Sequence, residues 1–169
     1  MRSDLAACTS ALLIVAAPLA QDRPPDLSGR WQLVEPTAAE RASDSLEIVS
    51  PEQLLITQTP LAMIVEHPST PGTHPEAQTY KYGVGGVIGG IPGSGNTNEE
   101  RWAVTHIGAQ LMISRTTTNR RDEDPLRSTV TRGSMWRLET PNRLVIEFSE
   151  ERTGERPRVA VRTYVRAPR

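Results

Sequence analysis

The sequence predicts an all-β chain that folds as an antiparallel up-and-down β-barrel with one short helical turn. Beyond position 30, apolar residues recur every second position rather than every 3.6. The alternating runs are short and separated by Gly, Pro, Asn and Asp, at the spacing of hairpins. Fourteen prolines in 169 residues interrupt the chain too often for long helices or coiled coils. Short antiparallel strands in such numbers must close on themselves or stack to cover their edges.

Length and composition bound what else the chain can be. One domain of this size buries roughly two thirds of its unfolded surface around a single core. The lone cysteine, Cys8, excludes a disulfide scaffold, and a net charge of -1 argues against a nucleic-acid partner held by bulk attraction.

Leu5 to Ala20 is almost uncharged. At about 1.5 Å per helical residue it falls short of a bilayer core of about 30 Å. Followed by small and polar residues, it reads as a signal peptide over residues 1–20, cleaved after Ala20. The expectation is therefore an exported protein, periplasmic or extracellular, with no membrane span after processing. Leu5-Ala6-Ala7-Cys8 matches a lipoprotein box, but most of the apolar segment follows Cys8 instead of preceding it. Once the signal is removed no thiol is left, which suits an oxidising compartment.

Residues 21–26 form a Pro-containing flexible lead-in, and 27–169 the barrel domain. Trp31 and Leu33 open the first strand. Thr37-Ala38-Ala39-Glu40 is a capping-box pattern for a helical turn ending by Ser43. Leu54/Ile56/Gln58, Leu61–Val65 and Gln78–Tyr82 continue the strands, followed by Trp102/Val104/His106, Leu111/Ile113, Val130/Arg132/Ser134/Trp136/Leu138, Leu144/Ile146/Phe148 and Val159/Val161/Thr163/Val165. That makes about nine strands. The Gly-rich run Gly83–Gly95 is expected to be a mobile loop over the barrel mouth, since glycine at that density is costly to order.

Asp26-Leu27-Ser28-Gly29-Arg30-Trp31 resembles the opening of lipocalin-like barrels, and most closely a group of uncharacterised secreted bacterial proteins with the same layout of signal peptide, Gly-x-Trp first strand, Pro-Ala-rich turn and basic last strand. The resemblance implies structural roles. Gly29 turns the chain tightly into the barrel, Trp31 plugs one end, and an arginine of the last strand, Arg162 or Arg166, covers the indole by a cation–π contact. The second lipocalin motif, Thr-Asp-x-Tyr, is missing.

The chain carries little recognisable chemistry. The glycine run fits neither a dinucleotide fingerprint nor a phosphate loop, because the lysine is absent. His67, His74 and His106 have no metal-ligand spacing, and Asp122-Glu123-Asp124 lacks the spaced oxygens of a calcium loop. No catalytic set assembles and no cofactor or metal is expected; Glu139 and Glu147, the carboxylates near strand centres, have outward parity.

If Trp102, Val104, Leu111, Ile113, Val130 and Trp136 point inward, parity also sends Gln58, His106, Arg115, Arg132 and Ser134 inward. Either these residues sit at wet strand ends, or they converge on a ligand pocket with apolar walls and a polar head. The expected function is a binding module for a small hydrophobic or anionic ligand. The alternative is an interaction domain with a filled barrel and an outward ladder of Arg158, Arg162 and Arg166. Charge is split along the chain: Gln21–Glu100 holds four basic against eleven acidic residues, and Arg101–Arg169 fourteen against eight. This makes either an anion-attracting second half or a seam across which the halves compensate.

Overall fold

The computed structural model describes residues 25–68, 76–90, 96–121 and 124–168; the proposed signal peptide, His74 and Asp122-Glu123 lie outside them. Among the described residues, ten strands form one antiparallel sheet: β1 (Gly29–Leu33), β2 (Gln53–Gln58), β3 (Ala62–His67), β4 (Glu76–Lys81), β5 (Gly83–Gly90), β6 (Asn96–Ile107), β7 (Gln110–Arg121), β8 (Asp124–Thr140), β9 (Arg143–Arg152) and β10 (Arg158–Arg166). Their order is β4-β3-β2-β1-β10-β9-β8-β7-β6-β5. First and last strands pair, so the sheet curls into a nearly closed up-and-down barrel whose seam lies between β4 and β5. The one helix among the described residues, α1 (Ala38–Ser43), carries the expected capping box: Thr37 accepts from the Glu40 N–H, and the Glu40 carboxylate accepts from the Thr37 N–H.

The two-residue rhythm sets the inside. Trp31, Leu54, Ile56, Met63, Val65, Val104, Leu111, Ile113, Trp136, Leu144, Ile146 and Tyr164 are buried in one cluster with Leu27. These side chains fill the middle of the barrel, leaving the two ends as the places where polar groups on inward positions meet water. The near end carries the β2–β3, β6–β7 and β8–β9 turns and the corner at Tyr82; the far end carries the β9–β10 turn and the α1–β2 connector.

Trp31 closes the near end. Its ring is fully buried, its Nε1–H donates to the Leu27 carbonyl at 2.9 Å, and Arg166 covers it with Cζ 4.4 Å from the ring centroid. The covering residue is therefore Arg166 and not Arg162. The β1–β10 register places Trp31 directly opposite Arg166, whereas Arg162 lies four residues lower, level with the connector, where its Nη1 reaches Asp44 Oδ2 at 2.6 Å. Gly29 has φ +138°, and a Cβ there would collide with the Arg166 guanidinium, so the close approach requires glycine.

The outward ladder is also corrected. Ala160 and Tyr164 are each 1% exposed and share parity with Arg158, Arg162 and Arg166, so these arginines face inward. The outer side of β10 carries Val159, Val161 and Val165 instead.

Gly83–Gly90 is a strand, β5, laddered to β6 from Gly83↔Val104 to Gly90↔Thr97, and not a loop over the mouth. Glycine hid it, because Val84, Val87 and Ile88 among so many glycines leave no two-residue alternation to read. A Cβ at Gly85 would run into the Trp102 indole, the residue directly opposite it. Overpacking of this kind costs about 1–3 kcal/mol. Gly85→Val is accordingly expected to lower the melting temperature and shift Trp102 fluorescence, and an unchanged spectrum would contradict the packing.

Candidate functional site

Sequence reasoning grouped Gln58, His106, Arg115, Arg132 and Ser134, and the fold separates them. Gln58 and His106 are at the near end, Arg115 and Arg132 towards the far end, and Ser134 lies between. The Ser134 hydroxyl accepts from Trp136 Nε1 at 2.7 Å, so it satisfies a largely buried indole. No bulge resets the parity at Gly133: the β7–β8 register runs unbroken through Ser114↔Gly133, and the shifts occur at Asn119/Arg121 and, in the β8–β9 pair, Leu138/Thr140.

At the far end the organising residue is Glu150, which is 5% exposed. It continues the inward alternation of Leu144, Ile146 and Phe148 on β9, and this signal was available in the sequence. Arg132 on β8 lies directly across from it, as does Arg158 on β10; Arg152 is two residues along β9. Arg132 Nε donates to Oε2 at 2.8 Å, Arg152 Nε donates to Oε1 at 2.9 Å, and Arg158 Nη2 also donates to Oε1. The Arg132 and then Arg152 hydrogen bonds, opposed by burial, pull the Glu150 pKa down to about 2. A carboxylate held in this way cannot act as an acid or base near neutrality.

Three guanidiniums around one carboxylate leave positive charge in excess. Arg115 stands opposite Arg132 in the β7–β8 ladder and is neutralised by Glu100, 2.6 Å away. The Arg132 side chain is 64% exposed, so it belongs to a wet strand end, yet it also lines a pocket. That pocket, about 260 Å³, lies between the connector residues Leu46–Ile48 and the Arg132, Phe148 and Glu150 side of β8 and β9.

The connector is fixed by built contacts. Ser45 and Leu46 donate their N–H groups to the Val159 carbonyl, and the Tyr164 hydroxyl donates to the Pro51 carbonyl at 3.3 Å. Burial pushes the Tyr164 phenol up to about 12, which keeps it a donor. The Asp44–Arg162 pair, about one tenth exposed on each side, staples the connector to the inner face of β10. That pair and Arg115–Glu100 join the acidic first half of the chain to the basic second half, so part of the charge split is compensated across strands. The Glu150 ion pairs lie wholly in the basic half; Glu155 also acts on Arg152, and Glu47 of the acidic half lines the pocket beside Arg132.

At the near end Gln58, Tyr82 and His106 meet. Gln58 Oε1 accepts from the Leu27 N–H, and its Nε2 donates to the Tyr82 hydroxyl at 3.1 Å. The Tyr82 and His106 rings lie 5.3 Å apart, tilted by 50°. Alternation ends the Gln78–Tyr82 strand on Tyr82; the structure places it between β4 and β5, packed against the core like Tyr80, and periodicity does not single it out as a site residue.

Among the described residues no group of His, Cys, Asp and Glu is placed to hold a metal ion, and no helix is long and apolar enough to cross a membrane. Compared with known proteins, the chain matches no protein-family model and no curated protein sequence.

Proposed function

We propose that this chain is an exported, lipocalin-like β-barrel that binds a small, partly apolar anion at its far end. The observation that carries the reading is the group of three guanidiniums around Glu150, of which Arg132 lines a pocket walled by Leu46, Ile48 and Phe148, with Glu47 on the same connector. A ligand carboxylate is drawn to Arg132, the most exposed of the three guanidiniums, while its apolar part lies on the connector and Phe148. The site is a pocket at one end of the barrel, beside the buried cluster. The likeness to lipocalins rests on the Gly29, Trp31 and Arg166 arrangement and on the up-and-down strand order.

Arg132→Ala is expected to weaken capture of short-chain fatty acids and other small carboxylates about tenfold or more, the scale of one charge-assisted hydrogen bond. Arg132→Lys retains part of the affinity. Titration calorimetry against a panel of such acids decides it, and equal capture by wild type and Arg132→Ala would remove the reading. Native mass spectrometry of the exported protein reports removal of residues 1–20 and any retained ligand together.

A second reading, an interaction domain, draws support from the outer stripe of Val159, Val161 and Val165, each 38–40% exposed. Val161→Glu would abolish a complex formed on that face and leave carboxylate capture unchanged.

A further inference from the structure

We propose a second ligand site, at the opposite end of the barrel from the anion pocket, that takes a neutral hydroxylated ring of sugar size. It is a cleft of about 510 Å³ lined by Pro25, Asp26, Gln58, Pro60, Tyr82 and His106. Four separate segments build it: the chain leading into β1, the β2–β3 turn, the β4–β5 corner and the end of β6. The proposal is independent of the anion site, since no residue lines both pockets.

The donor and acceptor inventory selects the ligand. Both functional atoms of the Gln58 amide are already engaged, one by the Leu27 N–H and one by the Tyr82 oxygen. Gln58 is therefore a positioning residue: it fixes the phenol and leaves the Tyr82 O–H proton to donate elsewhere. Among the described residues His106 Nδ1 has no hydrogen-bond partner, and it is buried. A bare lone pair there is cheaper than an orphaned N–H, which favours the neutral tautomer with its N–H at Nε2, the nitrogen left to meet a ligand.

The cleft thus offers two neutral donors beside two aromatic rings and two proline rings. Among the described residues that line the cleft there is no arginine or lysine, so anions are disfavoured. A purely apolar ligand would strand both donors, at about 1–3 kcal/mol for each buried polar group left unpaired. A saccharide meets all of these conditions. Its ether and hydroxyl oxygens accept from Tyr82 and His106, and its C–H face lies on the rings.

Isotope-labelled protein titrated with glucose, N-acetylglucosamine and maltose, followed by NMR at the Tyr82 and His106 resonances, tests this. Saturable shifts at both residues are expected with at least one of the three sugars. Affinity should fall about two- to tenfold in Tyr82→Phe, which keeps the ring and loses one hydrogen bond. His106→Gln is the second variant should Tyr82→Phe disturb the fold, and Arg132→Ala should leave the titration unchanged. Absence of saturable shifts with all three sugars in the wild type overturns the proposal. So does a sugar response abolished by Arg132→Ala, or a response at Tyr82 to acetate or butyrate in place of the sugars. Failure of carboxylate capture at Arg132 has no bearing on this outcome, so the two sites stand or fall separately.

Discussion

Trp31→Ala is expected to cost about 3–5 kcal/mol of unfolding free energy, the range for emptying a large aromatic site in a packed core. Three losses combine. The indole is fully buried, and its removal leaves a cavity beside Leu27, Leu54 and Tyr164 in the same cluster. The Leu27 carbonyl loses the Nε1–H donor it accepts from at 2.9 Å. Arg166 loses the ring it covers, although it keeps its hydrogen bonds to the Ser28 and Pro141 carbonyls. Arg166→Ala should cost less: it removes the ring cover, about 0.5–2 kcal/mol, and the hydrogen bonds to the Ser28 and Pro141 carbonyls, but empties no large aromatic site in the core. Reversible denaturant unfolding, with m-values compared between variants, measures both. A Trp31→Ala loss below that of Arg166→Ala would show that the plug is not the keystone of the near end.

Glu150→Ala is the second large effect, and its sign depends on pH. Glu150 has its pKa lowered to about 2 in the folded state, from an ordinary value of 4.5. A depressed carboxylate pKa contributes stability that is present in full above the unfolded value. That contribution declines between about 4.5 and 2 as the pH falls and the group protonates. Wild type should therefore lose stability on acidification through that window more steeply than Glu150→Gln, which has no charge there to titrate. At neutral pH the order expected is wild type, then Glu150→Gln, then Glu150→Ala. Glutamine still accepts one hydrogen bond, whereas alanine leaves Arg132, Arg152 and Arg158 facing one another. Sulfate should raise the melting temperature of Glu150→Ala more than that of wild type, by supplying the missing negative charge. Identical acid limbs in wild type and Glu150→Gln would mean that the carboxylate does not hold the three arginines in solution.

Much of the barrel was legible because burial acts on alternate residues. Leu54 and Ile56, or Leu144 and Ile146, announce both the strand and its inner face, and the capping box announces α1 before Ser43. The same rule placed Arg132 and His106 on the inner side and would have placed Glu150 there as well, two residues beyond Phe148. It could not read β5, where glycine removes the side chains that carry the signal. Nor could it choose between Arg162 and Arg166 for Trp31, because both occupy the same face of β10 and only cross-strand register separates them.

The sequence alone determined the two-residue rhythm and the helical turn, since each depends on neighbours a few residues apart. Tertiary structure decided that the inward polar residues divide between two ends, that Glu150 gathers arginines from three strands, and that Tyr82 joins Gln58 and His106. Those contacts link positions up to tens of residues apart, and their partners are set by strand order and register, which local alternation does not encode.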